Sequence, residues 1–174
     1  VQKLAESTEE DFRCVSAQAL SQVATAVDVA ACSAELLPLL SSTLTSDASF
    51  RVRKQAAATL GTLATKLSGT DYVMSDIFPA FQKLCSDDIW GVRKSSVEVM
   101  FEVSQAVPLE VRRDTLTKLL LNDMLHDDSR WVRNAAYEHL GRFISTLTSD
   151  TISEDLLQAF TSMVTGSGGD DVVG

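Results

Sequence analysis

Two pairs of adjacent carboxylates are the residues best suited to chemistry. Asp87-Asp88 and Asp127-Asp128 each precede an apolar helical pattern, and paired carboxylates can bind a metal ion or act in acid-base catalysis. Each pair is also followed, at the same distance, by Arg93 or Arg133. Because a guanidinium holds a carboxylate in a fixed geometry, this spacing favours a structural role. We expect one Asp of each pair to cap the next helix and the other to meet an arginine.

Histidine and cysteine offer no catalytic pattern. The two histidines, His126 and His139, are not part of repeated His-Glu pairs, and Glu138-His139 is solitary. Cys14, Cys32 and Cys85 are an odd number at wide spacing, which indicates buried thiols in a reducing compartment. No glycine-rich phosphate loop or serine nucleophile motif is present. We predict that the chain is not an enzyme and holds no cofactor or metal.

The carboxylates belong to a stretch that recurs every forty residues. The stretch 127–141 contains Asp-Asp-Ser-Arg-Trp-Val-Arg, and its counterparts lie at 87–101 and 47–61. A weaker copy, 12–24, keeps the same spacing. A period of about forty residues made of helical patterns is typical of a solenoid, in which each helix pair buries its apolar faces against its neighbours.

The repeat unit resembles the HEAT repeat. An Asp stands six residues before an Arg in the three stronger copies, and the first helix carries Pro38 or Pro79. An interior proline removes a backbone donor and kinks a helix. The resemblance implies an all-α fold, a HEAT-repeat α-solenoid in which antiparallel helix pairs form a right-handed superhelix. It also implies a ladder of bonds between neighbouring repeats, formed by Asp47, Arg53, Asp87, Arg93, Asp127 and Arg133.

The pattern predicts one array over residues 1–165. Its repeats run over about 1–28, 29–69, 70–107 and 108–148, with a half repeat at 149–165 and a flexible tail at 166–174. The fifth first helix is expected to open at Ser149-Asp150 and to have no partner, so we expect a segment of a longer solenoid. Residues predicted at core spacing include Phe12, Leu20, Leu40, Leu60, Met100, Leu156, Leu157, Phe160 and Val164.

Charge and hydropathy exclude two classes of partner. The formal net charge is -9, so no global positive field attracts phosphate backbones, and we predict no nucleic-acid binding. The longest apolar stretches fall far short of the ~20 residues that a membrane span needs, so we predict no membrane insertion. We expect the chain in the cytoplasm, the nucleus or both.

Aromatic residues in the turns within repeats predict the interaction surface. Phe50, Trp90 and Trp131 stand where one helix of a pair passes to the next, where packing of the turn is one interpretation. The other is a binding ridge, because Trp and Arg dominate interface energies and solenoids present successive turns as one surface. We call this surface the turn ridge; its residues are Phe50, Arg51, Ile89, Trp90, Arg130 and Trp131.

Longer runs resemble one family of HEAT proteins, that of protein phosphatase 4 regulatory subunit 1. The runs are 78–94, 110–113, 129–136 and 140–146, and the resemblance covers about 36–147. That family is similar to the scaffold subunit of protein phosphatase 2A. The resemblance implies a non-catalytic subunit that binds a Ser/Thr phosphatase catalytic subunit, directs it to substrates and contacts further regulatory or substrate proteins. In the 2A scaffold, the turns within repeats carry the catalytic chain.

Two other classes remain open. Transport and trafficking adaptors use the same repeats, but they usually present Trp and Asn along the second helices, where only Asn134 is found. Enzymes with HEAT-like folds include iron hydroxylases and base-excising glycosylases. The absence of His-Glu pairs argues against the first, and the negative charge argues against the second.

Overall fold

The computed structural model describes residues 2–165, and all regular structure in that range is helical. The fold class predicted from the sequence is confirmed. The expected flexible tail, 166–174, and Val1 of the first predicted helix lie outside the described residues.

The helices follow one another as first and second members of antiparallel pairs. The first two pairs consist of α1 (Gln2–Ala5) with α2 (Glu10–Ala26), and of the helical segment 29–46 with α4 (Phe50–Lys66). Segment 29–46 begins with α3 (Val29–Ala31) and continues as π-helix (Cys32–Leu36 and Leu39–Thr43) and a final 3-10 turn (Leu44–Ser46).

The next two pairs repeat this order, and one helix follows them. The third pair joins a π-helical segment (Val73–Ile77) and α5 (Phe78–Cys85) to α6 (Trp90–Glu98) and α7 (Met100–Ala106). The fourth joins α8 (Leu109–Val111) and two π-helical segments (Arg112–Leu116 and Leu119–Met124) to α9 (Arg130–Ile144). The last described helix is α10 (Glu154–Thr165).

The first helices of the second, third and fourth pairs contain π-helical segments, whether or not they contain proline. Pro38 lies between two π-helical segments, and Pro79 is the second residue of α5. The fourth pair has two π-helical segments without a proline, and there Thr117 Oγ1 donates to the Arg112 carbonyl at 3.0 Å. The π geometry therefore does not require a proline, and the first helices at the two ends, α1 and α10, are α-helical. Pro108 directly precedes α8, where its missing N–H costs nothing.

The second helices pack side by side and carry the centre of the core. Helix α4 contacts α2 on one side and α6 and α7 on the other, and α9 continues the layer. The first helices pack against one face of this layer. Leu60, Leu63 and Ala64 of α4 are fully buried between the two layers, and one apolar cluster continues from Ala5 to Leu156.

Paired hydrogen bonds between arginine and aspartate join each repeat to the next. Arg53 Nε donates to Asp87 Oδ2 at 2.6 Å, and Arg53 Nη2 donates to Asp87 Oδ1 at 2.9 Å. Arg93 binds Asp127 in the same way, at 2.7 and 2.8 Å. Arg13 binds Asp47 at 2.6 and 3.1 Å. Such charge-assisted, bidentate pairs are stronger than neutral hydrogen bonds and fix a geometry.

Each ladder aspartate also shapes its own turn. Asp87 Oδ1 accepts the amide N–H of Ile89 at 3.0 Å, and the Asp87 carbonyl accepts Arg93 Nη1 at 2.7 Å. Asp127 does the same with Ser129 and Arg133, at 2.8 and 2.7 Å. The division of roles that we expected within each Asp pair is therefore wrong. The first Asp accepts both the turn amide and the arginine fork, because its carboxylate has lone pairs enough for both.

The second helix of the third pair is interrupted, which the sequence did not predict. A continuous helix was expected over 90–107, but Val99 adopts φ -105° and ψ 7° between α6 and α7. Gly61 of α4 faces this break. A Cβ atom at Gly61 would lie 2.9 Å from Val99 Cβ and 3.0 Å from Val99 Cγ1, which is closer than such atoms approach. Glycine here permits the close contact between the two helices.

The ends of the array differ from the sequence prediction. Helix α10 begins at Glu154 and not at Ser149-Asp150, because the Ser153 hydroxyl accepts the Leu156 amide at 3.3 Å and caps it there. Phe12, predicted in the core, is 52% exposed, and Val164 is 65% exposed. The core prediction is wrong at these two sites, because no described element covers those faces. The same holds for Leu157, whereas Leu156 is buried and Phe160 partly buried.

None of the helices within residues 2–165 combines the length and the hydropathy that crossing a membrane requires.

Removing one ladder carboxylate tests how much the ladder stabilises the stack. Asp87→Asn should lower the free energy of unfolding by about 2–3 kcal/mol, because the largely buried Arg53 loses its ionic partner. Urea denaturation followed by circular dichroism measures this change. Glu10→Gln is the matched control, because the Arg51–Glu10 pair is solvent-exposed and should contribute little. Equal effects of the two substitutions would contradict the ladder's role.

The ladder also predicts how stability depends on pH. Burial opposes ionisation of Asp87, but the hydrogen bonds from Arg53 and from the Ile89 amide outweigh it, so the pKa of Asp87 is lowered. Asp47 and Asp127 have lowered pKa values for the same reasons. The unfolded state therefore binds protons more readily, and the ladder's contribution is complete above about pH 4 and is lost as the pH falls further. Urea titrations from pH 6 to pH 3 should show this loss, and Asp87→Asn should reduce its slope.

Gly61 and Gly141 differ in how much room a Cβ atom would have. Gly61→Ala should destabilise the chain by about 1–3 kcal/mol, because Val99 and the helix behind it must move. Gly141→Ala should be neutral or stabilising by up to about 1 kcal/mol, because its nearest contact, Phe160 Cε2, lies at 3.4 Å and alanine favours helix. Thermal denaturation of both variants measures the contrast. A stabilised Gly61→Ala protein would show that the contact with Val99 is not tight.

Candidate functional site

Two tryptophans from neighbouring repeats form the centre of the turn ridge. The rings of Trp90 and Trp131 stack with their centroids 6.4 Å apart and their planes inclined by 28°. The guanidinium carbon of Arg130 lies 4.6 Å from the Trp131 ring centroid, within the range of a cation–π contact. Trp90 is 46% exposed and Trp131 47% exposed. Large aromatic rings held together and half exposed are typical of a binding surface.

The turns position these rings. Trp90 is the first residue of α6, and Trp131 is the second residue of α9. Val92 and Val132, one or two residues further on, are fully buried and anchor the first turn of each helix. The Arg93–Asp127 ion pair joins the two turns that carry the rings. The ladder, together with the contact between the rings, therefore holds Trp90 next to Trp131. The ridge is therefore preorganised.

Of the other predicted ridge residues, Ile89 belongs to the turn of Trp90, and Phe50 and Arg51 belong to the turn of the preceding repeat. Phe50 opens α4 and Ile89 directly precedes α6; both are exposed. Arg51 Nη1 donates to Glu10 Oε1 at 2.7 Å and to Asp11 Oδ1 at 3.2 Å, so its charge is compensated by the preceding repeat. The structure thus brings Trp90, Arg130 and Trp131 into contact, whereas Arg51 pairs with the opposite neighbour.

Neither histidine contributes to a metal site. Exposed His126 places Nδ1 2.8 Å from the Leu121 carbonyl, and half-buried His139 lies on α9. Within residues 2–165 no group of three His, Cys, Asp or Glu side chains is arranged to hold a metal ion. Cys32 and Cys85 are buried, and burial raises the pKa of the Cys85 thiol. Cys14 is only partly buried, unlike the buried thiol that the sequence predicted.

Two arginines with structural roles were not among the predicted site residues. Arg13 is the first member of the ladder, and the forty-residue offset from Arg53 is the signal that could have shown it. Arg112 joins two repeats by a different route: Nε donates to the Val107 carbonyl at 3.1 Å and Nη1 to the Thr146 carbonyl at 2.6 Å. It thereby satisfies carbonyls at the ends of two second helices, and no repeat pattern marks it.

Comparison with curated proteins identifies one kind of relative. The chain is 38% identical over 104 residues to serine/threonine-protein phosphatase 4 regulatory subunit 1 of Homo sapiens, and equally to that of Mus musculus and of Rattus norvegicus. The match covers 60% of this chain and 11% of each relative. The chain thus spans only a small part of the length of the proteins it resembles.

Comparison with solved structures supports the fold alone. The crystal structure of an engineered protein matches with a TM-score of 0.62 and 19% sequence identity, over 98% of this chain and 72% of that one. No family model matches the sequence.

The repeated helix pairs and the sequence match lead to the same conclusion. The resemblance predicted from the repeats is confirmed: the chain is an all-α helical-repeat protein whose sequence is similar to that of protein phosphatase 4 regulatory subunit 1.

Proposed function

We propose that this chain is part of a non-catalytic regulatory subunit that binds a protein phosphatase 4-like Ser/Thr phosphatase catalytic subunit and directs it to substrates. The observation that carries the proposal is the 38% identity to a phosphatase regulatory subunit. The array acts by position: it holds a catalytic protein and further regulatory or substrate proteins at fixed separations, in the cytoplasm or the nucleus. Any metal used in phosphate hydrolysis belongs to the catalytic partner.

Within this array, we assign the turn ridge as the surface that binds the catalytic subunit. Trp90 and Trp131 present two half-exposed aromatic faces in one stack, with Arg130 against the second ring. Burying them against a partner removes large apolar areas from water without ordering flexible side chains. Because the ladder already holds the two turns together, little conformational entropy is lost on binding.

The chain's charge limits the partners of the ridge. With a net charge of -9, the array repels phosphate backbones and anionic lipid surfaces at long range. We therefore propose that its partners are proteins, and that neither nucleic acid nor membrane is among them.

Direct binding to a purified protein phosphatase 4 catalytic subunit tests the proposal. Biolayer interferometry should detect binding by the whole chain, and Trp90→Ala/Trp131→Ala should weaken it by roughly 2 kcal/mol or more for each tryptophan. The control is Tyr72→Ala. Tyr72 is exposed to a similar degree but lies between the second and third pairs, at the opposite end of the helices from the ridge.

The possible outcomes distinguish the identity of the partner from the position of its binding site. Circular dichroism must first show that the double variant keeps its helicity, as expected for side chains that are half exposed. Binding that is lost in the double variant and kept in Tyr72→Ala supports both the partner and the ridge. Equal binding by all three proteins would remove the ridge from the proposal, and no binding by the wild-type chain would overturn the catalytic partner for this segment.

A further inference from the structure

A groove crosses the exposed face of α4 and reaches the turn ridge at Phe50 and Arg51. It consists of two clefts of about 490 and 470 Å³, which share Ala58 and Glu98 as lining residues. The lining comes from α2, α4, α6 and α7 and includes Val99, between the last two; all belong to the layer of second helices. The groove therefore lies on the side of that layer that the first helices leave open.

Small side chains on neighbouring helices create the floor of this groove. Ala24 of α2 and Ala58 and Gly61 of α4 line it, and Val99 closes one side at the break between α6 and α7. Gly61 has no side chain to fill the space and lets Val99 approach. The result is an apolar floor between walls that carry longer polar residues. A groove of this shape fits an extended polypeptide segment, which needs little width.

The charged residues that line the groove fall into two groups. Three of them have an ionic partner within the chain: Arg51 pairs with Glu10 and Asp11, Glu98 with Lys94, and Glu102 Oε1 with Arg142. Glu102 Oε2 is buried and has no hydrogen-bond partner among the described residues.

Lys54 and Lys66 form the other group. Across residues 2–165, neither lysine has a carboxylate oxygen within 4.0 Å of its Nζ atom. Lys54 lines the cleft nearer the turn ridge, and Lys66 lines the other. The lining of the groove carries three cationic side chains and two carboxylates, a formal charge of +1 in a chain whose net charge is -9. Two lysines placed along one groove complement two carboxylates at the ends of one bound segment.

We infer that this groove binds an extended acidic segment of a partner protein. Lys54 and Lys66 are twelve residues apart on one helix, or about 18 Å along its axis. An extended chain covers that distance in about six residues. The segment carries Asp or Glu near both ends, which meet the two lysines. A small aliphatic side chain between them rests on the floor at Ala58 and Gly61.

This inference does not depend on the proposed function. The groove reaches the turn ridge at Phe50 and Arg51, but its lysines take no part in the Trp90–Trp131 stack. A catalytic subunit and an acidic segment therefore use different side chains, the tryptophans and the lysines. The groove would keep its ligand chemistry even if the ridge bound another protein.

A random peptide library tests the inference without assuming a partner. Displayed eight-residue peptides are selected against the whole chain, and the selected peptides are synthesised with a fluorescent label for anisotropy measurements. We expect enrichment of sequences with two acidic positions separated by about five residues, with an aliphatic residue between them. Lys54→Glu/Lys66→Glu should raise the Kd of such peptides about tenfold or more, and added salt should weaken their binding to the wild type.

Two further variants serve as controls. Lys83→Glu/Lys118→Glu makes the same change in charge at two exposed lysines of first helices, outside the groove, and should leave the Kd within about twofold. Ala58→Trp keeps every charge but fills the floor at an exposed position, and should also abolish binding. Trp90→Ala/Trp131→Ala should leave peptide binding unchanged.

The inference is overturned by either of two results. One is a selection that enriches no acidic peptides. The other is a set of enriched acidic peptides that bind Lys54→Glu/Lys66→Glu or Ala58→Trp as tightly as the wild type, which would place them elsewhere on the surface. Circular dichroism of every variant confirms that a lost signal does not come from unfolding.

Discussion

The bidentate bond between an arginine of one repeat and an aspartate of the next is the interaction on which the rest of this structure depends. A ladder arginine such as Arg53 joins three groups, the Asp87 carboxylate and the carbonyls of Asp47 and Ala48. One side chain therefore closes its own turn and holds the following one. Because the bond is charge-assisted and partly buried, neighbouring turns have little freedom to slide or rotate. The stack of Trp90 on Trp131 is a consequence of that constraint.

The sequence predicted the parts of the fold that every repeat shares. Its forty-residue period identified the helix pairs, and the period-3.6 spacing identified Leu60 and Leu40 as core residues. It did not predict where neighbours change the outcome. Phe12 has the spacing of Val52, yet only Val52 is buried, because burial depends on what packs over a face. Nor did it predict the break at Val99, where neither glycine nor proline interrupts the helical pattern.

The two candidate surfaces differ in how far a sequence can show them. The turn ridge could be predicted from the sequence because bulky aromatic residues stand out at a turn between polar neighbours. The groove could not be predicted, because its floor consists of small residues and its charge depends on which lysines have a carboxylate partner. Lys54 and Lys94 occupy the same position in successive repeats, yet Lys94 has Glu98 four residues later whereas Lys54 has Ala58. The alanine that removes the partner of Lys54 also opens the floor of the groove.

That single difference between two repeats shows how a regular array acquires distinct sites. The ladder and the core require the same residue types in every repeat, so they cannot distinguish one repeat from another. The exposed positions of the second helices carry no such requirement. Where an Ala replaces a Glu, one substitution both removes the partner of a lysine and creates space beside it, and Gly61 lets Val99 close one side of that space. The ladder keeps these exposed positions at constant separation, so differences along the surface become a pattern of sites that a partner can recognise.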